Sequence, residues 1–262
     1  NFNTDSQSLN LRQGIFGGGE TYYAVKSAEK RVLSARDELR STEQQFLIEA
    51  ITSYIEYIYT QKVMKLAANN VNVLQEQLNA SKERFVVGDA TKTDVAQSEA
   101  RFANAVSNKV IAEGDFINAK AEFVRIFEKE PSNFMPMPSG LPAIPTSLEQ
   151  ALKVGMEKSP DVNQVKYLLD SREEDIGARR SQLLPQLDLQ GSISKSENVN
   201  QLGLTDTDSE SIGVTLTVPI YSGGVNYSRT REARDRRNQT QKQYNDTLNF
   251  VRSNIVQSWQ QI

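Results

Sequence analysis

The stretch Val218-Pro219-Ile220-Tyr221-Ser222-Gly223-Gly224 closes an alternating run and opens a long helical pattern. A degenerate copy, Gln13-Gly14-Ile15-Phe16-Gly17-Gly18-Gly19, precedes it at an offset of 205 residues, the same from Phe16 to Tyr221 and from Gly19 to Gly224. The offset continues into the helices that follow. Tyr22 matches Tyr227, Ala28 matches Ala233, Arg31 matches Arg236 and Tyr54 matches Trp259. A chance echo of one glycine turn would not bring its helix along, so the chain reads as an internal duplication. Each copy is a strand, an Ile-aromatic pair, glycines and a long helix.

The duplication sets the expected organisation. Residues 1–130 form a first repeat, an end strand and a helical hairpin with its tip near 84–95. Residues 131–146 are a connector that holds five of the eight prolines. Residues 147–262 form a second repeat, with shorter helices over 147–184, a β-hairpin over 185–219 and the start of a long helix over 225–262. Thr146 and Glu149 have capping-box spacing at the first of these helices, and Ser159-Pro160 caps the next.

From Glu20 to Val86 neither proline nor glycine interrupts the chain. Val25, Ala28, Val32, Ala35, Leu39, Phe46, Ala50, Tyr54 and Tyr57 recur at steps of three, four and seven, as in a coiled-coil seam. At 1.5 Å per residue such a helix would be roughly 100 Å long. A second helix is expected over 90–128, with Val95, Phe102, Val106, Val110, Phe116, Phe123 and Phe127 on its apolar side. Gly88 supplies the left-handed break between the two helices, which form an antiparallel hairpin.

The strand segments have one oily and one wet face. Leu187, Leu189 and Ile193 alternate with Asp188, Gln190, Ser192 and Ser194; Ile212, Val214, Leu216 and Val218 alternate with Gly213, Thr215 and Thr217; Leu9 and Leu11 alternate with Asn10 and Arg12. Each run is about nine residues, enough for a tilted membrane strand. The polar segment Lys195–Glu210 is expected to be a long outward loop, and its Asp206, Asp208 and Glu210 a solvated acidic group rather than a calcium site. Too few strands are present to close a barrel alone, so identical subunits would share one.

Composition excludes much else. The 262 residues are 38% hydrophobic with a net charge of −3, and mean hydropathy is −0.53. Narrow helical seams tolerate that balance, and the lack of a basic excess argues against a nucleic-acid partner. There is no cysteine and no histidine, which removes thiol nucleophiles, imidazole bases and most transition-metal sites. No catalytic, cofactor-binding or metal-binding set stands out. The glycine pairs lack the Lys and Ser or Thr of a phosphate loop. Glu173, Glu174 and Asp175 read as a solvated helix face.

Three blocks then carry a family resemblance. They are the Ile-aromatic-glycine repeat above, Leu184-Pro185-Gln186-Leu187-Asp188-Leu189 before a strand, and Arg84-Phe85-Val86-Val87-Gly88-Asp89-Ala90-Thr91-Lys92-Thr93-Asp94-Val95 at the helical tip. With Ser147-Leu148-Glu149-Gln150-Ala151-Leu152 they resemble the TolC family of outer-membrane efflux and secretion channels, over essentially the whole chain. The resemblance implies a mainly α fold with membrane β-strands: long antiparallel coiled-coil hairpins forming an α-barrel in the periplasm, equatorial helices over 147–184, and a trimeric 12-stranded β-barrel in the outer membrane. It implies a homotrimer in outer-membrane lipid, a periplasmic adaptor (membrane fusion) protein, an inner-membrane transporter, and passive exit of drugs or secreted proteins with no enzyme activity and no cofactor. A periplasmic tethering coiled coil without a pore is the alternative.

The family pattern also directs attention to residues. Asp94 matches the aspartate that holds the family's gate helices closed, although helix capping explains the same residue. Arg84, Val87, Gly88 and Thr93 shape the tip, either as the surface that an adaptor would meet or as a plain helix turn. Gly18, Gly19, Gly223 and Gly224, with Pro219, form the structural strand–helix junction, where Phe16, Tyr22, Tyr221 and Tyr227 serve either packing or an interfacial belt. The family's first strand is expected before Asn1, and its second tip beyond Ile262.

Overall fold

A computed structural model describes residues 4–131, 144–200 and 203–261, with side chains left aside over 197–200 and 203–205. Most of the proline-rich connector falls outside these residues. The elements in order are β1 (Thr4–Gly17), α1 (Glu20–Val86), α2 (Lys92–Phe127), α3 (Leu148–Lys158), α4 (Pro160–Ser181), β2 (Gln186–Asn200), β3 (Gly203–Thr217) and α5 (Val225–Gln260). The fold is mainly helical with one sheet, as the pattern required. By contacts the chain divides into Asn1–Ser41 with Ile144–Ile262, and Thr42–Ala143.

In the first unit the sheet has the order β1-β2-β3 and is antiparallel throughout. Its strands are longer than the alternating runs, at 14, 15 and 15 residues. The expectation of a loop over Lys195–Glu210 is therefore corrected. The ladder continues through it, with Ile193 opposite Glu210, Lys195 opposite Asp208 and Ser196 opposite Thr207. Alternation vanishes from the sequence there because a ladder is made of backbone bonds, which do not require an oily side chain on either face. A β-bulge lies between Gly14 and Phe16. The extra residue, Ile15, shifts the parity, so Phe16 pairs with Leu187 and joins the apolar face.

Four helical segments pack in this unit among the described residues: the start of α1 with α3, α4 and α5. The first turns of α1 meet α4 through serines at every seventh position. Ser27 Oγ donates to Asp175 Oδ1 at 2.6 Å, Ser34 Oγ to the Gln164 carbonyl at 2.9 Å and Ser41 Oγ to Asp161 Oδ1 at 2.5 Å. On α5, Thr230, Ala233 and Thr240 are buried, and Arg237 Nε donates to Glu173 Oε2 of α4 at 2.8 Å. Small side chains let these helices approach closely, and the short hydroxyls satisfy themselves on carbonyls or carboxylates. The cap of α3 is one residue later than the spacing suggested: Ser147 Oγ accepts from the Gln150 amide at 3.2 Å, and Gln150 Oε1 accepts from Thr146.

The second unit is an α1–α2 hairpin. Ala105, Ala112 and Ala119 are buried at heptad spacing beside Phe123. Tyr57 stands 5.3 Å from the Phe116 ring and 5.5 Å from the Phe123 ring, and Phe123 stacks on Phe127 at 4.4 Å. An alanine heptad leaves room for the aromatic cluster at the open end.

The apolar stripe on α1 behaves differently from expectation. Val25, Val32, Leu39 and Phe46 recur every seven residues and are each more than half exposed. The buried face of α1 holds Ser27, Ser34, Asp37, Ser53, Tyr57 and Thr60 instead. Periodicity identified residues that favour burial, but the chain does not itself cover them.

Candidate channel wall and helical tip

Over the half of the sheet nearest the helices, up to Ile193 and from Ser211, polarity is separated by face. Leu9, Leu11, Ile193, Val214 and Leu216 are all more than half exposed on one side, and Ile212 is 82% exposed. On the other side Arg12 NH2 donates to Asp188 Oδ2 at 2.8 Å across β1 and β2. Ser192 and Ser211 share a hydroxyl hydrogen bond of 2.8 Å across β2 and β3. No helix among the described residues is long and apolar enough to cross a membrane. A sheet with an uncovered oily face and a hydrogen-bonded wet face suits contact with lipid on one side and water on the other.

Both strand–helix junctions use the same backbone. Gly18 and Gly19 have φ of 64° and 90°, and Gly223 and Gly224 have φ of 63° and 79°. Each pair reverses the chain through two left-handed residues, a conformation that glycine adopts without steric cost. The first helical bond then forms identically, from Tyr23 N to the Gly19 carbonyl at 3.1 Å and from Ser228 N to the Gly224 carbonyl at 3.0 Å. Gly18 is constrained further, since a Cβ there would meet the Ser181 carbonyl oxygen at 2.5 Å. Pro219 lies two residues beyond Thr217, the last residue of β3, where no ladder donor is required.

At the tip, α1 ends in a Schellman arrangement around Gly88. Asp89 N donates to the Arg84 carbonyl at 2.8 Å and Gly88 N to the Phe85 carbonyl at 3.1 Å, with φ of 79° at Gly88. Thr91 then caps α2. Its Oγ1 accepts from Asp94 N at 3.2 Å, while Asp94 Oδ2 accepts from Thr91 N at 2.8 Å and from Thr91 Oγ1 at 2.7 Å. These bonds from the Thr91 hydroxyl and amide hold the Asp94 carboxyl below its ordinary pKa. Asp94 Oδ1 has no partner among the described residues. Arg84 and Thr93 are exposed and their side chains are likewise unpartnered there, while Val86 and Val87 present apolar surface, 83% and 78% exposed. The tip therefore brings Arg84, Gly88, Thr93 and Asp94 into one solvent-facing turn.

Sequence reading missed two features. The serine heptad at Ser27, Ser34 and Ser41 carried no apolar signal. The acidic run Glu173–Asp175 is not simply solvated: Asp175 accepts from Ser27, from Arg31 at 2.9 and 2.8 Å, and from Arg172 at 3.3 Å. Ser27 and Arg31 could have been found only by placing α1 against α4, whereas Arg172 lies one turn away on α4 itself.

This geometry defines a class: an envelope protein that combines a two-faced sheet with long paired helices. The outer membrane efflux protein family model matches residues 1–126 and 152–261. The chain belongs to that family, which is one of outer-membrane channel proteins rather than enzymes, and its location is the outer membrane of a Gram-negative envelope. It is 28% identical over 259 residues to the outer membrane efflux protein BepC of Brucella suis, covering 99% of this chain and 57% of BepC. It is 24% identical over 261 residues to the alkaline protease secretion protein AprF of Pseudomonas aeruginosa, covering 96% of this chain and 54% of AprF. The crystal structure of the outer membrane protein VceC of Vibrio cholerae has the same fold, with a TM-score of 0.77 at 15% identity, over 95% of this chain and 66% of VceC. The chain thus spans little more than half the length of these curated relatives.

Proposed function

We propose that this chain supplies part of a channel subunit of a tripartite efflux or type I secretion system, a passive duct through the outer membrane and periplasm. The observation that carries this reading is the sheet whose apolar face is uncovered and whose polar face is internally hydrogen-bonded. β1 and β3 each leave one ladder edge unpaired among the described residues, and a lipid-exposed open edge is not viable. Three copies closing the family's 12-stranded barrel would pair these edges. The exposed heptad stripe Val25, Val32, Leu39 and Phe46 would find its cover in the same way, against helices of a neighbouring copy.

Energy would come from an inner-membrane transporter, joined through a periplasmic adaptor that docks on the exposed tip around Arg84, Val87, Gly88 and Thr93. Asp94 uses one carboxylate oxygen for its cap and offers the other to a neighbouring helix, which is the chemistry of a closed gate. BepC is named an efflux protein and AprF a protease secretion protein, so both cargo classes stand for this chain. No step of this function requires bond chemistry, a cofactor or a nucleic acid.

The test is conductance of the full-length protein in a planar lipid bilayer. Steady unitary current steps are expected. A silent bilayer containing correctly inserted protein would favour a tethering coiled coil instead.

A further inference from the structure

We propose that the groove between the end of α4 and the start of α5 binds the phosphate headgroup of an anionic phospholipid from the periplasmic leaflet. This rests on the channel reading, which sets the strand–helix junction at the membrane boundary. The groove has a volume of about 500 Å³ and is lined by Arg180, Arg231 and Arg234 with Leu183, Leu184 and Tyr227, and no carboxylate takes part in its lining.

The arginines carry the argument. Three other guanidinium groups nearby are neutralised inside the chain, Arg236 by Glu232, Arg237 by Glu173 and Arg172 by Asp175, while Arg179 and Arg229 line a separate groove whose wall also holds Glu20, Asp175 and Glu232. The side chains of Arg180, Arg231 and Arg234 have no hydrogen-bond or ion-pair partner among the described residues. Like charges gathered in one groove repel unless an anion joins them, and guanidinium forks suit phosphate oxygens. The start of α5 adds to the field. Its cap, Gly224, provides no side-chain hydrogen bond and its first turn has no acidic residue, so the positive end of the helix is unopposed.

The apolar wall separates a lipid from a free phosphate ion. Leu183 and Leu184 offer nothing to inorganic phosphate, whereas a phospholipid carries hydrocarbon directly beyond its headgroup. Leu184 lies just before Gln186, where β2 begins, so the leucines stand where the membrane strands end. The duplication repeats the theme. On α1, Lys26 Nζ lies 4.9 Å from the centre of the Tyr22 ring. The counterparts of Tyr22 and Lys26 at the repeat offset are Tyr227 and Arg231. Both long helices thus place a tyrosine and, one turn on, a cation at the boundary, as interfacial anchors do. The second copy adds Arg180, Arg234 and the two leucines, which turn an anchor into a groove.

The experiment is native mass spectrometry of the full-length detergent-solubilised protein with phosphatidylglycerol, phosphatidylcholine or inorganic phosphate added. Phosphatidylglycerol should bind in preference to phosphatidylcholine. Each Arg→Gln change should weaken it roughly fivefold, and Arg180→Gln/Arg231→Gln/Arg234→Gln together roughly a hundredfold. Equal retention by the triple variant, no preference between lipids, or displacement by millimolar inorganic phosphate would overturn the proposal. Loss of the oligomer in the triple variant would also overturn it, by assigning the groove to a subunit interface. Conductance is measured on the same samples. Current without selective lipid binding defeats only the lipid site, while lipid binding without current defeats the channel reading.

Discussion

Gly18 and Gly223 occupy equivalent positions with φ of 64° and 63°, yet their surroundings differ. A Cβ at Gly223 meets nothing within 4 Å, whereas at Gly18 it meets the Ser181 carbonyl oxygen at 2.5 Å. Gly223→Ala should therefore cost only the left-handed backbone, roughly 1–2 kcal/mol. Gly18→Ala should cost clearly more, because the end of α4 must move. Thermal unfolding of the two variants of the full-length protein checks the order, and equal losses would contradict the close approach at Gly18. At the tip, the Asp94 carboxyl is held below the ordinary 3.8 by Thr91. A depressed carboxylate pKa stabilises the fold above the unfolded value and loses that stabilisation as pH falls through the folded one. Hydrogen exchange at the first turn of α2 should accelerate, relative to its intrinsic rate, on acidification below 3.8, and Asp94→Asn should remove that pH dependence. Thr91→Ala should cost about 1 kcal/mol through the lost cap alone. If Asp94 also closes a gate, Asp94→Ala should increase antibiotic leakage in cells more than Thr91→Ala does. Equal leakage would leave Asp94 as a helix cap only.

At the scale of elements, the stripe Val25, Val32, Leu39 and Phe46 is exposed in a chain that hides serines on the opposite seam. Leu39→Lys should leave the α1–α4 contact intact but weaken assembly, seen as loss of the oligomer on native gels with unchanged helicity. An unaffected oligomer would remove the stripe from the interface. The sheet makes a parallel distinction. Ile212→Lys sets a charge on the oily face and should destabilise the folded protein in lipid by roughly 2–4 kcal/mol near mid-bilayer, whereas Ser211→Lys on the wet face should cost little. The helices were legible because seven-residue spacing and the glycine breaks act within a few residues of sequence. The register around Ile15 was not, since a bulge is a property of two strands. The ladder beyond Lys195 was not either, because backbone pairing leaves no trace in side-chain alternation. Asp94 was legible as a cap from its spacing to Thr91, while the partners of Asp175 depend on contacts with Ser27 and Arg31, more than a hundred residues away in the chain.

At the scale of the molecule, composition and structure agree on what is incomplete in one chain. Its mean hydropathy is −0.53, and much of its large apolar surface is exposed on the sheet and along α1. A monomer rarely leaves such surface open, so lipid and identical copies are the natural cover. The account's central claim is that the two faces of one sheet meet lipid and a water-filled pore. The chain has no cysteine, so single cysteines can be scanned along β3 from Ser211 to Thr217 in the full-length protein. The most direct test is block of single-channel current by a water-soluble thiol reagent at each position. The account predicts block at Ser211→Cys, Gly213→Cys and Thr215→Cys, with no block at Ile212→Cys, Val214→Cys and Leu216→Cys. Block without two-residue periodicity, or current unaffected at every position, would contradict it.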